Sequence, residues 1–71
     1  MKCTVKFVWD IETNMWYTES DDVPGLVLEA ASFDLLIEKV RLAAPEMLEL
    51  NCDYTGPVHL SIEAERIEKV S

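Results

Sequence analysis

The sequence predicts a single α+β domain spanning residues 1–71: a four-stranded mixed sheet, strand order 3-2-1-4, covered on one face by one helix layer. Three observations predict it. Period-two alternation of apolar and polar residues recurs in three stretches, near the start, after residue 14 and after residue 57. An acidic turn, Ser20-Asp21-Asp22-Val23-Pro24-Gly25, separates two of the extended runs. A helical apolar stripe opens behind Ser32, a good N-cap residue. The element order is therefore β-β-β-α-β.

Lys2 to Asp10 alternates, with Cys3, Val5, Phe7 and Trp9 on one side and Thr4, Lys6 and Val8 on the other, as a half-buried strand does. Ile11-Glu12-Thr13-Asn14 supplies a four-residue turn, and Met15 to Ser20 alternates again. That loop length sets Trp9 opposite Trp16, Phe7 opposite Thr18 and Lys6 opposite Glu19. The aromatic pair and the opposite charges favour this register; a one-residue slip would put Glu19 on the face of Val5 and Phe7. In the next turn, Pro24 presets φ, Gly25 supplies positive φ, and Asp21 and Asp22 are placed to accept from unpaired backbone amides. Leu26 to Ala30 reads as a short third strand, with Leu26, Leu28 and Ala30 facing the core and Val27 and Glu29 facing away.

The helix carries Phe33, Leu36, Ile37, Val40, Ala44, Met47 and Leu48 on one stripe, and Asp34 suits the positive end of its dipole. Leu35 and Leu42 lie opposite that stripe, either as scattered surface leucines or as a self-association patch. Pro45 either ends the helix near Ala43 or kinks it. Asn51 to Pro57 reads as a loop. Val58 to Ile67 reads as the fourth strand, with Val58, Leu60, Ile62 and Ala64 inward and His59, Ser61, Glu63 and Glu65 outward. A right-handed crossover lays it parallel to the first strand. One helix covers one face only, so the other face or an edge must meet solvent or a partner.

Composition narrows the function. Fourteen acidic against six basic residues give a formal net charge of -8, which repels phosphate backbones and attracts a basic protein. Direct nucleic-acid binding is not expected. A chain this short buries only about 60% of its extended-chain surface, which favours oligomerisation or a partner. Two cysteines and one histidine are too few for a zinc site, and no cofactor or metal is implied. Cys3 and Cys52 read as small buried hydrophobes. No signal-peptide pattern and no apolar run near the ~20 residues of a membrane helix are present, so a cytoplasmic protein is expected.

A first strand ending in Trp9-Asp10, a second containing Trp16, the turn Asp21-Asp22-Val23-Pro24-Gly25-Leu26, and a strand running into Ser32-Phe33-Asp34-Leu35-Leu36-Ile37-Glu38-Lys39-Val40 together resemble the HicB-like antitoxin group. The likeness runs from Lys2 to about Leu50, and the acidic turn is its most specific element. It is nearest the short relatives without the DNA-binding domain that typical members carry at the C-terminus. The resemblance implies a partial ribonuclease-H-like fold and a partner: a small basic HicA-like toxin that cleaves messenger RNA. Tyr17, Asp21, Asp22, Val27, Glu29, Glu63 and Glu65 are the expected partner-binding residues, and Leu35 and Leu42 the candidate self-association pair. The alternative is a stand-alone homo-oligomeric domain with no toxin.

No enzymatic activity is expected. A nuclease would need clustered carboxylates holding two metal ions, and the candidates Asp10, Glu38 and Asp53 read as a turn residue, a solvated helix carboxylate and a loop residue. His59 on a strand face, and Ser20 and Ser61 without a paired base, suggest no nucleophilic chemistry. Trp9 and Trp16 read as a core or rim pair rather than a ligand platform.

Overall fold

The computed structural model describes residues 1–70. The strands are β1 (Lys2–Asp10), β2 (Met15–Glu19), β3 (Glu29–Ala30) and β4 (His59–Glu65), and the helix α1 (Phe33–Cys52) lies between β3 and β4 in the chain. The sheet order is β3-β2-β1-β4, with β1 antiparallel to β2 and parallel to β4. The register is the expected one: Trp9 opposite Trp16, Phe7 opposite Thr18, Lys6 opposite Glu19. The four-residue turn closes with the Asn14 amide donating to the Asp10 carbonyl at 2.8 Å, Asn14 being left-handed at φ 56°.

The acidic turn forms around Pro24 and Gly25. The Leu26 amide donates to the Val23 carbonyl at 3.2 Å, and Gly25 sits at φ 83°. A Cβ on Gly25 would lie 2.9 Å from Asn51 Nδ2, the atom that donates to the Pro24 carbonyl at 2.9 Å and ties the end of α1 to the turn. Gly25→Ala is therefore expected to lose about 1–2 kcal/mol from the positive φ alone. Urea unfolding of the variant checks this; a midpoint equal to the parent's would contradict it.

The third strand is shorter than expected. Only Glu29 and Ala30 pair with β2, through Tyr17 and Trp16. The cause is Thr18, whose buried hydroxyl donates to the Leu26 carbonyl at 3.1 Å and accepts from the Leu28 amide at 3.0 Å. The Thr18 amide still donates to the Leu28 carbonyl at 3.0 Å, but the hydroxyl takes the return bond from the Leu28 amide, so only half of the ladder pair is kept there and the backbone of 26–28 bends round the side chain. Leu26 and Ala30 are still buried, Leu28 is half-buried and Val27 is exposed, so the facing holds although the strand does not.

The helix runs through Pro45 to Cys52, so it does not end near Ala43, and Asn51 and Cys52 are helical rather than loop. Pro45 and Arg41 both lie on the exposed side, where water can serve the carbonyl that loses its amide partner. Ser32 Oγ accepts from the Leu35 amide at 3.3 Å, and Asp53 ends the helix at φ 54° while the Tyr54 amide donates to the Leu48 carbonyl.

Leu36, Val40, Ala44 and Leu48 of α1 bury against Cys3, Val5 and Phe7 of β1. Val23 is fully buried as well, although it stands in a turn. Phe33 packs edge-on against both Phe7 and Trp16, with ring centroids 5.0 Å apart in each pair. The α1 backbone approaches β3 and β2 most closely. At β4, Leu60 and Ile62 are only half-buried, and Ala64, expected inward, is exposed, because this edge strand lies beyond the helix's cover. Cys3 is buried as expected, but Cys52 is exposed at the helix end; both are free thiols. No helix among the described residues is long and apolar enough to cross a membrane.

Candidate protein-interaction face

Alternation places every second residue of each strand on the face that α1 does not cover. Pairing aligns them across the sheet: Glu29 beside Tyr17, Tyr17 beside Val8, Val8 beside Glu65; Glu19 beside Lys6, Lys6 beside Glu63. Three strand spacings separate Glu29 from β4, roughly 14 Å. The acidic groups therefore spread across the width of the sheet rather than converging on a point. Such a spread suits contact with a protein surface and not the clustered chemistry of a metal site.

At one end, Thr4, Lys6, Glu19, Ser20, Asp21, Asp22 and Glu63 line a shallow basin. Its floor is held by side chains continuing the strand pairing. Ser20 Oγ donates to the Thr4 carbonyl at 2.7 Å and accepts from the Val23 amide at 3.2 Å, while Asp22 Oδ2 accepts from the Thr4 amide at 2.7 Å. Asp22 thus serves the neighbouring strand rather than its own turn, whereas Asp21, exposed like Asp22, has no such bond among the described residues. Burial, and then the Asp22 carboxylate, push the Cys3 thiol up, which keeps it protonated and inert.

Lys6 stands opposite Glu19, but its Nζ lies 3.2 Å from Glu65 Oε2, and this carboxylate raises the Lys6 pKa. The expected Lys6–Glu19 ion pair is replaced by one across the parallel β1–β4 pairing, which leaves Glu19 in the basin. Glu19 was not among the expected partner-binding residues, although its position opposite Lys6 carried the signal. Of those residues, Asp21, Asp22, Glu29, Glu63 and Glu65 are exposed and Tyr17 is half-buried in the middle of the face. Val27 is 86% exposed at the β3 border. Leu35 and Leu42 lie elsewhere, on the outer side of α1, exposed with Leu50.

Trp9 and Trp16 form a rim pair, ring centroids 5.3 Å apart. The Arg66 guanidinium, one residue beyond the parallel Val8–Glu65 pair, lies 4.2 Å over the Trp9 ring and holds the start of the C-terminal segment against that end of the sheet. Periodicity gave no sign of this contact, because Arg66 follows the strand. The three carboxylates weighed for metal chemistry have local duties. Asp10 Oδ1 accepts from the Glu12 amide, Glu38 pairs with Arg41 at 3.3 Å, and Asp53 caps α1. No group of three His, Cys, Asp or Glu side chains among the described residues could hold a metal ion. His59 is exposed at the sheet edge, its amide donating to the Met1 carbonyl at 2.8 Å.

The profile of a family described as a domain of unknown function, DUF1902, matches residues 2–71. A solved structure of a hypothetical protein from the extremely thermophilic bacterium Thermus thermophilus shares 41% identity and superposes with a TM-score of 0.84, covering 99% of this chain and 100% of that one. No curated protein matches.

Proposed function

The chain belongs to the DUF1902 family, and from that premise we propose that it is a HicB-like antitoxin or antitoxin-derived binding module that takes a small basic protein on its open sheet face. The partner's chemistry follows from the face: Lys and Arg side chains meeting Glu19, Asp21, Glu29, Glu63 and Glu65, with Tyr17 as an amphipathic anchor at the centre. A HicA-like RNA-cleaving toxin is such a protein. Its RNA-binding surface must be basic, so an acidic mimic of the phosphate backbone would occlude it. The role is binding, not catalysis, without cofactor, nucleic acid or membrane. Free thiols suit a reducing, cytoplasmic setting.

The observation that carries this reading is the uncovered face itself, where five carboxylates are set against Lys2 and Lys6, and Lys6 is already engaged by Glu65. Co-expression with a short basic protein encoded beside this gene tests it. The two should co-purify, and the chain should restore growth that the partner arrests. Glu29→Lys with Glu63→Lys should weaken the complex about tenfold or more, chiefly through lost electrostatic complementarity. Absence of co-purification together with absence of rescue would overturn the proposal.

A further inference from the structure

The sheet ends at β4, and that edge is unguarded. The His59 amide donates to the Met1 carbonyl, so His59, Ser61, Glu63 and Glu65 turn their backbone groups toward β1. Leu60, Ile62 and Ala64 turn theirs outward, a row of amides and carbonyls at the sheet edge. Edges of this kind are usually blunted by proline, a bulge or an inward charge. β4 has no proline, and its helix-side positions are Leu60, Ile62 and Ala64, which α1 leaves half-buried or exposed.

We propose that β4 pairs with β4 of a second copy of this chain, antiparallel about a twofold axis through Ile62, joining the two sheets into one of eight strands. In that register the seven-residue strand overlaps itself completely. Ile62 meets the other Ile62, and Leu60 meets Ala64, in hydrogen-bonded pairs that use every outward backbone group of β4. On the open face, Ser61 stands opposite Glu63 and His59 opposite Glu65, so each carboxylate meets a donor. Sliding one or two residues toward the C-terminus sets Glu63 against Glu63, or Glu63 against Glu65, which like-charge repulsion disfavours. The axis is perpendicular to the sheet, so both helices stay on one side, and Leu60, Ile62 and Ala64 of the two copies form an apolar strip between them. Both acidic faces remain open, so the dimer neither requires nor blocks the proposed basic partner. Two chains of net charge -8 repel at long range, so salt should strengthen the association.

Light scattering coupled to gel filtration, run over a concentration series at low and high salt on the full chain, tests this. The expected mass is twice the 8.1 kDa of one chain, with the dimer fraction rising with salt. Ala64→Pro removes one outward amide, and Ala64→Lys sets a charge against Leu60 while leaving the backbone unchanged. Each should weaken the dimer about tenfold or more while the circular dichroism stays that of the parent. Leu35→Ser with Leu42→Ser should leave the mass unchanged. A parent monomeric at every concentration and salt, a dimer that survives both Ala64 variants, or a dimer lost instead through the helix variant would each overturn the proposal.

Discussion

Replacing Phe7 by alanine is expected to lower the unfolding free energy by about 3–5 kcal/mol. Phe7 is fully buried at the centre of β1, with Thr18 of β2 and Ala64 of β4 as its lateral neighbours. Its ring meets the edge of Phe33, which in turn packs on Trp16, so one truncation opens a cavity beneath the helix's first turn and breaks a chain of three aromatic rings. A domain of this length holds roughly 4–11 kcal/mol in all. The variant should therefore unfold at far lower urea, or be partly unfolded without it. Equilibrium urea unfolding followed by tryptophan fluorescence measures the loss. A loss under about 1 kcal/mol would mean that the core is not seated on β1.

The second large effect is expected at Thr18. Its hydroxyl satisfies the Leu26 carbonyl and the Leu28 amide at once, inside the core and where the pairing with β2 keeps only the bond from the Thr18 amide to the Leu28 carbonyl. Thr18→Val keeps the shape and removes both bonds, leaving a half-buried amide and a carbonyl unpaired. The expected cost is about 1–3 kcal/mol, concentrated in the 26–28 segment. Thr18→Ser keeps the oxygen and should retain most of the stability. Hydrogen exchange gives the sharper measure: the Leu28 amide should exchange much faster in Thr18→Val and stay protected in Thr18→Ser. Equal protection in both variants would show that the hydroxyl does not organise the bend.

These two positions mark what alternation reveals and what it hides. The strand at Phe7, its register against Thr18 and the helix stripe from Leu36 to Leu48 follow from periodicity, because a buried face repeats with the period of the backbone. The bend at Leu26–Leu28 does not, since a side chain replacing half of a ladder pair leaves the apolar pattern intact: Leu26, Leu28 and Ala30 read the same in strand or loop. Pro45 suggested a helix end or a kink because propensity is local, whereas Ala44 and Leu48 anchor the helix on both sides of it. Val23 looked like turn material, and only the fold of the turn onto the core buries it. On the open face the carboxylates were visible as outward alternates. The transfer of Lys6 from Glu19 to Glu65 depended on how near β4 lies, which sequence spacing does not encode.

The most direct measurement is an amide-shift titration of the labelled chain with a small basic protein of the kind proposed as its partner, sought beside its gene. Shifts should concentrate on Tyr17, Glu19, Asp21, Glu29, Glu63 and Glu65 and diminish as salt is raised. Shifts gathered instead on Leu35, Leu42 and Leu50 of the outer helix, or no shifts at all, would contradict an acidic sheet face made for docking.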